Sequence, residues 1–300
     1  MNTPLTLAGF GLGLAAAFGV ALAIGSAIGP VGPAAASSAA VHEMDTTTTD
    51  GGHGATHEAP AADLPAGLTV SDRGYTLSLS EPSLPAGTAT PVAFGILGPE
   101  GEAVTRYDVD HDVDLHLIAV RRDLTGFQHV HPELGPDGVW RIPLALDAGT
   151  WRLFADFTPT ALGENLVLGA DLAVGGQYDP APRPAESRTA QVDGFTVALT
   201  GALEPGRESD LTLTISRTGG PVSDLQPYLG AFGHLVVLRD GDLAYLHAHP
   251  GDGPPGPDVR FATTAPSAGS YRLFLDFKHG DVVRTAAFTV TAGAHGEAHE

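Results

Sequence analysis

Residues 116–132 read HLIAVRRDLTGFQHVHP, and residues 234–250 read HLVVLRDGDLAYLHAHP. The two stretches align without a gap: His116 falls on His234, Arg121 on Arg239, His129 on His247, His131 on His249 and Pro132 on Pro250. The register extends back to Val104 on Val222. A second block repeats further along, where GTWRLFADF at Gly149 to Phe157 returns as GSYRLFLDF at Gly269 to Phe277, setting Asp156 on Asp276. Two separate blocks that agree show that the chain carries one unit twice.

Each unit divides into short runs rich in Val, Leu, Phe and Tyr, separated by Gly, Pro and Asp turns at the spacing of an antiparallel sandwich. The first unit offers runs at Tyr75 to Ser80, Pro91 to Leu97, Leu115 to Val120, Gly126 to His131, Val139 to Leu144, Thr150 to Phe157 and Leu166 to Val174. The second offers Phe195 to Thr200, Asp210 to Ser216, His234 to Arg239, Ala244 to His249, Val259 to Thr263, Ser270 to Phe277 and Val282 to Val290. The fold expected is all-β: two tandem immunoglobulin-like antiparallel β-sandwiches, preceded by one N-terminal transmembrane or signal helix. Arg122-Asp123 and Asp240-Gly241-Asp242 supply polar turn residues, so each histidine stretch reads as a hairpin that returns its first histidine to the HxH pair.

Around these units the composition changes. Leu5 to Val31 is uncharged and apolar, long enough to cross a hydrocarbon core of about 30 Å, so residues 1–33 read as a membrane anchor. Ala34-Ala35-Ala36-Ser37 offers the alternative of a cleaved signal and secretion. Either way the rest of the chain lies outside the cytoplasm, at the cell membrane behind a single span if the anchor is kept. Residues 34–65 form a His, Thr, Ala and Gly tether, 66–174 the first sandwich, 175–188 a Pro-rich linker, 189–292 the second sandwich, and 293–300 a His-containing tail. The net charge of −20 repels phosphate backbones and argues against nucleic acid as a partner. The absence of cysteine excludes disulfides, thiolate metal sites and cysteine nucleophiles.

The shared pattern is a histidine, twelve residues, HxHP, and an aspartate about 25 residues later. Alternate side chains of a strand point the same way, so the two histidines of an HxH pair leave one face with Cα atoms roughly 7 Å apart. With the hairpin closed, His116, His129 and His131, and likewise His234, His247 and His249, become candidate donors to one transition metal per repeat. Asp156 and Asp276 are candidate oxygen ligands. Imidazole with carboxylate suits copper(II), zinc or nickel, and the Irving–Williams order favours copper(II), with zinc as second choice. The residues Asp108, Asp110, His111, Asp112 and Asp114 are unmatched in the second unit, and their segment lacks the glycine and distal glutamate of an EF-hand loop. It reads as a solvated acidic loop from which His111 is a further candidate ligand. No GxSxG elbow, phosphate-binding glycine loop or HExxH appears, so an enzyme is not expected.

At the histidine phrases the sequence resembles exported actinobacterial proteins with duplicated HxHP β-sandwich domains. In architecture and ligand type it is similar, more distantly, to the copper-resistance CopC-type and YtkA-like families. That resemblance implies copper storage, buffering or delivery, delivery calling for a copper-accepting protein partner. It departs from those families in lacking an amino-terminal histidine ligand. The competing expectation is a non-catalytic structural or interaction module, a pair of sandwiches displayed at the cell surface with histidines that only order the hairpins.

Overall fold

The computed structural model describes residues 64–246 and 248–293, apart from the side chain of His249. The expected anchor, most of the tether, His247 and the tail beyond Gly293 lie outside the described residues. Among those described there is no helix, and so none long and apolar enough to cross a membrane.

The first repeat supplies β1 (Ser71–Asp72), β2 (Tyr75–Leu79), β3 (Ser83–Pro85), β4 (Gly87–Leu97), β5 (Tyr107–Asp108) and β6 (Leu115–Arg121). It continues with β7 (Gln128–Val130), β8 (Glu133–Leu134), β9 (Val139–Leu146), β10 (Gly149–Pro159) and β11 (Leu166–Gly175). The second repeat supplies β12 (Thr189–Val192), β13 (Phe195–Thr200), β14 (Glu208–Arg217), β15 (Gly220–Pro221) and β16 (His234–Arg239). It ends with β17 (Tyr245–Leu246), β18 (His249–Pro250), β19 (Asp258–Thr264), β20 (Gly269–His279) and β21 (Val282–Ala292).

Each repeat is a two-sheet sandwich, as the sequence predicts. In the first, β1-β2-β4-β9-β8 faces β3-β11-β10-β6-β7; in the second, β12-β13-β14-β19-β18 faces β17-β16-β20-β21. Pairing is antiparallel except for β3, which runs parallel to β11. The short strands β1, β3, β5, β8, β12 and β15 fall outside the runs read from the sequence, being too brief or too polar to show a period, and the run Ala244 to His249 divides between β17 and the start of β18.

Strand alternation builds three cores from one pattern. Leu117, Ala119, Leu153 and Ala155 face inward with Trp140 and Trp151 to fill the first sandwich. Val237, Leu273 and Leu275 do the same with Phe261 and Phe277 in the second. The opposite faces of these same strands, Ile118, Val120 and Phe154 from one repeat and Val236, Leu238 and Phe274 from the other, make a third core between the repeats. Against this core Phe127, partly buried, stacks on Phe274, with ring centroids 4.0 Å apart and planes 5° from parallel. Phe154 meets Tyr245 in the corresponding place. Leu124 and Leu243, one in each hairpin turn, both hold φ at 64°. A left-handed leucine is strained, and both side chains are buried in the shared core, which offsets that strain.

Two further segments tie the repeats. Gly67 (φ +72°) passes so close to Phe154 that an added Cβ would lie 2.5 Å from its ring, and beside it the Tyr245 N–H donates to the Ala66 carbonyl at 2.9 Å. In the Pro-rich linker the Ala181 N–H donates to Asp123 at 2.9 Å and Arg183 pairs with Asp240 at 2.7 Å, so the linker holds both hairpin turns.

Removing the Phe274 ring should open a cavity in the inter-repeat core. Phe274→Ala is expected to lower the free energy of unfolding by about 3–5 kcal/mol, read from denaturant midpoints. A change under about 1 kcal/mol would mean that the repeats do not depend on this contact.

Candidate metal centre

The histidines lie on the outer sheet faces, the ones that meet between the repeats. On β6, His116 shares its face with Ile118 and Val120, and its cross-strand partner on β10 is Asp156. His129 on β7 stands opposite Ile118, and His131, two residues on, returns to the same face. In the second repeat His234 opens β16 opposite Asp276 of β20. Packing the two faces together therefore gathers polar groups from both repeats at one margin of an apolar contact.

Three imidazoles of the first repeat close on a common point. The Nδ1 atom of His116 is 3.0 Å from His129 Nε2 and 3.3 Å from His131 Nε2, and the three ligand nitrogens all lie within 4.8 Å of one another. Their ring centroids form a near-equilateral triangle with sides of 5.2, 5.1 and 5.1 Å. Nitrogens bound about 2.0–2.1 Å from one ion sit roughly 3 Å apart, so the trio has the spacing of a donor set.

Groups behind the rings fix which nitrogen faces inward. His129 Nδ1 is 2.9 Å from Asp276 Oδ2, and both side chains are almost wholly buried, 4% and 5% exposed. The other Asp276 oxygen accepts from Thr285 Oγ1 at 2.5 Å. A carboxylate so held accepts the Nδ1–H hydrogen bond and leaves the His129 Nε2 lone pair toward the trio. His234 Nε2 donates to the Tyr228 carbonyl at 2.7 Å, and His111 Nδ1 lies 2.9 Å from Asp110 Oδ1. Asp156 accepts from Asn165 at 2.8 Å and from the Tyr245 hydroxyl at 3.1 Å.

The sequence leads to one trio per repeat, each with the aspartate of its own repeat. Instead, the aspartate bonded to His129 is Asp276, from the second repeat. His234 stands among first-repeat rings, with centroids 5.2 Å from His111, 6.0 Å from His129 and 6.3 Å from His116. The physical reason is that each His–Asp pair sits on an outer face, and outer faces meet only across the interface. The acidic loop 108–114 is mostly exposed, as expected, while its His111, held at φ 48°, turns into this cluster. His247 and the His249 side chain lie outside the described residues. Sequence reasoning missed Thr285 and Asn165, although each follows its aspartate by nine residues, a spacing the duplication carries. It also missed Tyr228, whose contribution is a backbone carbonyl that no side-chain motif reveals.

Burial is the main cause that lowers the His116 pKa to about 2, with the neighbouring His129 and His131 adding repulsion. His131 and His234 fall to about 4, again through burial first. All three are neutral at pH 7, the form that binds metal. Unfolded histidines take protons from about pH 6.5 downward while these folded ones refuse them, so stability is full above that pH and declines as pH falls toward 4. Metal-free protein melted between pH 7.5 and 4.5 should lose midpoint temperature across that window, and His131→Gln should flatten the slope. A flat profile in both proteins would show that these rings are not buried neutral.

No curated protein matches the chain. Among solved structures the chain is similar to the Escherichia coli adhesin FdeC (16% identity, TM-score 0.24, covering 75% of this chain and 65% of that one). Salmonella alpha-2-macroglobulin gives 18% identity and a TM-score of 0.26, over 77% of this chain and 16% of that one. Invasin, a bacterial integrin-binding protein, gives 17% and 0.20, over 73% and 39%. The chain thus spans less than two thirds of the length of each, and at such TM-scores the likenesses carry no functional argument. One family accounts for both repeats, matching at 69–168 and again at 190–294. The duplication read from the histidine phrases is therefore a duplication of a family domain, and the chain belongs to the family described as Domain of unknown function (DUF8832).

Proposed function

We propose that this protein binds a transition-metal ion, copper(II) first, outside the cytoplasm, and that it stores, buffers or delivers that ion without catalysing a reaction. One observation carries the reading: three buried or half-buried imidazole nitrogens of His116, His129 and His131 converge at 3.0 and 3.3 Å. Three imidazole nitrogens with a carboxylate behind one of them suit copper(II) or zinc, and at equal access copper(II) binds more tightly. Histidine and carboxylate on an immunoglobulin-like sandwich are also the donors of the CopC-type and YtkA-like families, and the proposed role follows theirs. Asp276 is assigned as a positioning residue for His129, in place of the ligand role its sequence position suggests. The N-terminal apolar segment would hold the two sandwiches at the membrane, and delivery would require a copper-accepting protein partner.

Isothermal titration of the full chain with copper(II) should show a tight equivalent that His129→Ala/His131→Ala abolishes. Saturating metal should raise the melting midpoint of the wild type, since 100-fold excess over the dissociation constant adds about 2.7 kcal/mol. An unchanged midpoint with copper(II) and with zinc would favour the interaction-module reading instead. Asp276→Asn keeps the size of the side chain and removes its charge. It should weaken copper(II) by about 10–100-fold, the usual cost of losing a group that orients a ligand. Wild-type affinity in this variant would remove Asp276 from the site.

A further inference from the structure

We propose a second metal-ion site beside the trio, with His111, His234 and the Nε2 atom of His116 as its nitrogen donors. The inference rests on the first site being a metal site and extends it from one ion to two that share an imidazole. His116 is 8% exposed, and its Nε2 is buried with no hydrogen-bond partner. Buried polar atoms are rarely left unmet. Tautomer choice does not remove the problem. If Nδ1 carries the proton toward His129, Nε2 is a buried lone pair without a donor; if an ion takes Nδ1, Nε2 is a buried N–H without an acceptor.

A cavity of ≈ 40 Å³, enough for one small ion, has a lining that includes His111, His116, His129, His234, Asp110 and Asp156. The two further histidines are already set as ligands. His234 gives its Nε2 proton to the Tyr228 carbonyl, and His111 Nδ1 is taken by Asp110, so His234 Nδ1 and His111 Nε2 keep their lone pairs. Asp110 and Asp156 offer the negative charge that a second cation needs. The His111 and His234 ring centroids are 5.2 Å apart, as in the trio, but 6.1 and 6.3 Å from His116. The second ion therefore draws the rings together and binds after the first. His111 can follow because it rides on the loop between β5 and β6 with 29% of its side chain exposed. As that ion binds, the remaining N–H proton of His116 leaves to solvent and no electron moves.

Two copper(II) ions joined through one imidazole couple their unpaired electrons, which separates this site from loose copper elsewhere on the chain. The full chain is titrated with copper(II) while bound metal and the integrated electron paramagnetic resonance signal are both measured. The first equivalent should give a full mononuclear signal, and the second should lower the signal per bound copper. His111→Ala, a change on a partly exposed loop, should keep the first signal and lose the coupled species. His234→Ala should behave likewise. Signal equal to bound copper throughout the second equivalent in the wild type, or a coupled species unchanged in His111→Ala, overturns the second site and leaves the first standing. A first equivalent that survives His129→Ala/His131→Ala overturns the trio, and the second site with it.

Discussion

Burial of the outer sheet faces of the two repeats against each other is the constraint on which the rest of the molecule depends. Ile118, Val120 and Phe154 on one side, and Val236, Leu238 and Phe274 on the other, remove apolar surface from water that each sandwich alone would expose. Histidine and aspartate sit on the same strand faces, so the apolar contact takes them out of water as well. Such groups must then find partners among themselves. His129 finds Asp276 across the interface, His234 finds a carbonyl, and His116 is left with one nitrogen facing other imidazoles and one facing nothing.

That arrangement also sets the chemistry. Burial makes charged imidazole costly, so the rings stay neutral and compete weakly for protons. Their lone pairs, aimed by carboxylate and carbonyl groups behind them, are available to a cation at physiological pH. The net charge of −20 favours approach of cations over anions.

Duplication gives a nearly two-fold interface, with Phe127 on Phe274 answering Phe154 on Tyr245. The departures from symmetry are chemical. Tyr245 replaces the second aromatic hydrocarbon and donates to Asp156, while Thr285 and Asn165 brace the two aspartates with different groups. The second repeat has the same loop, with the same left-handed backbone, but carries Leu229 where the first has His111 (φ 51° and 48°). One side of the interface thus differs from the other although both arise from the same domain.

The sequence by itself determined the repeat, the all-β sandwiches and the trio His116, His129 and His131, because these follow from local rules: in-register identity, strand alternation and hairpin closure. The apolar stretches LIAV at 117–120 and LVVL at 235–238 are buried on both faces of their strands. What covers the second face was decided only by tertiary structure. A strand pattern states that a side chain leaves the sheet, not which surface it meets. The partner of His129, the company of His234 and the inward turn of His111 all depend on that meeting, which contacts between residues as far apart as His129 and Asp276 create.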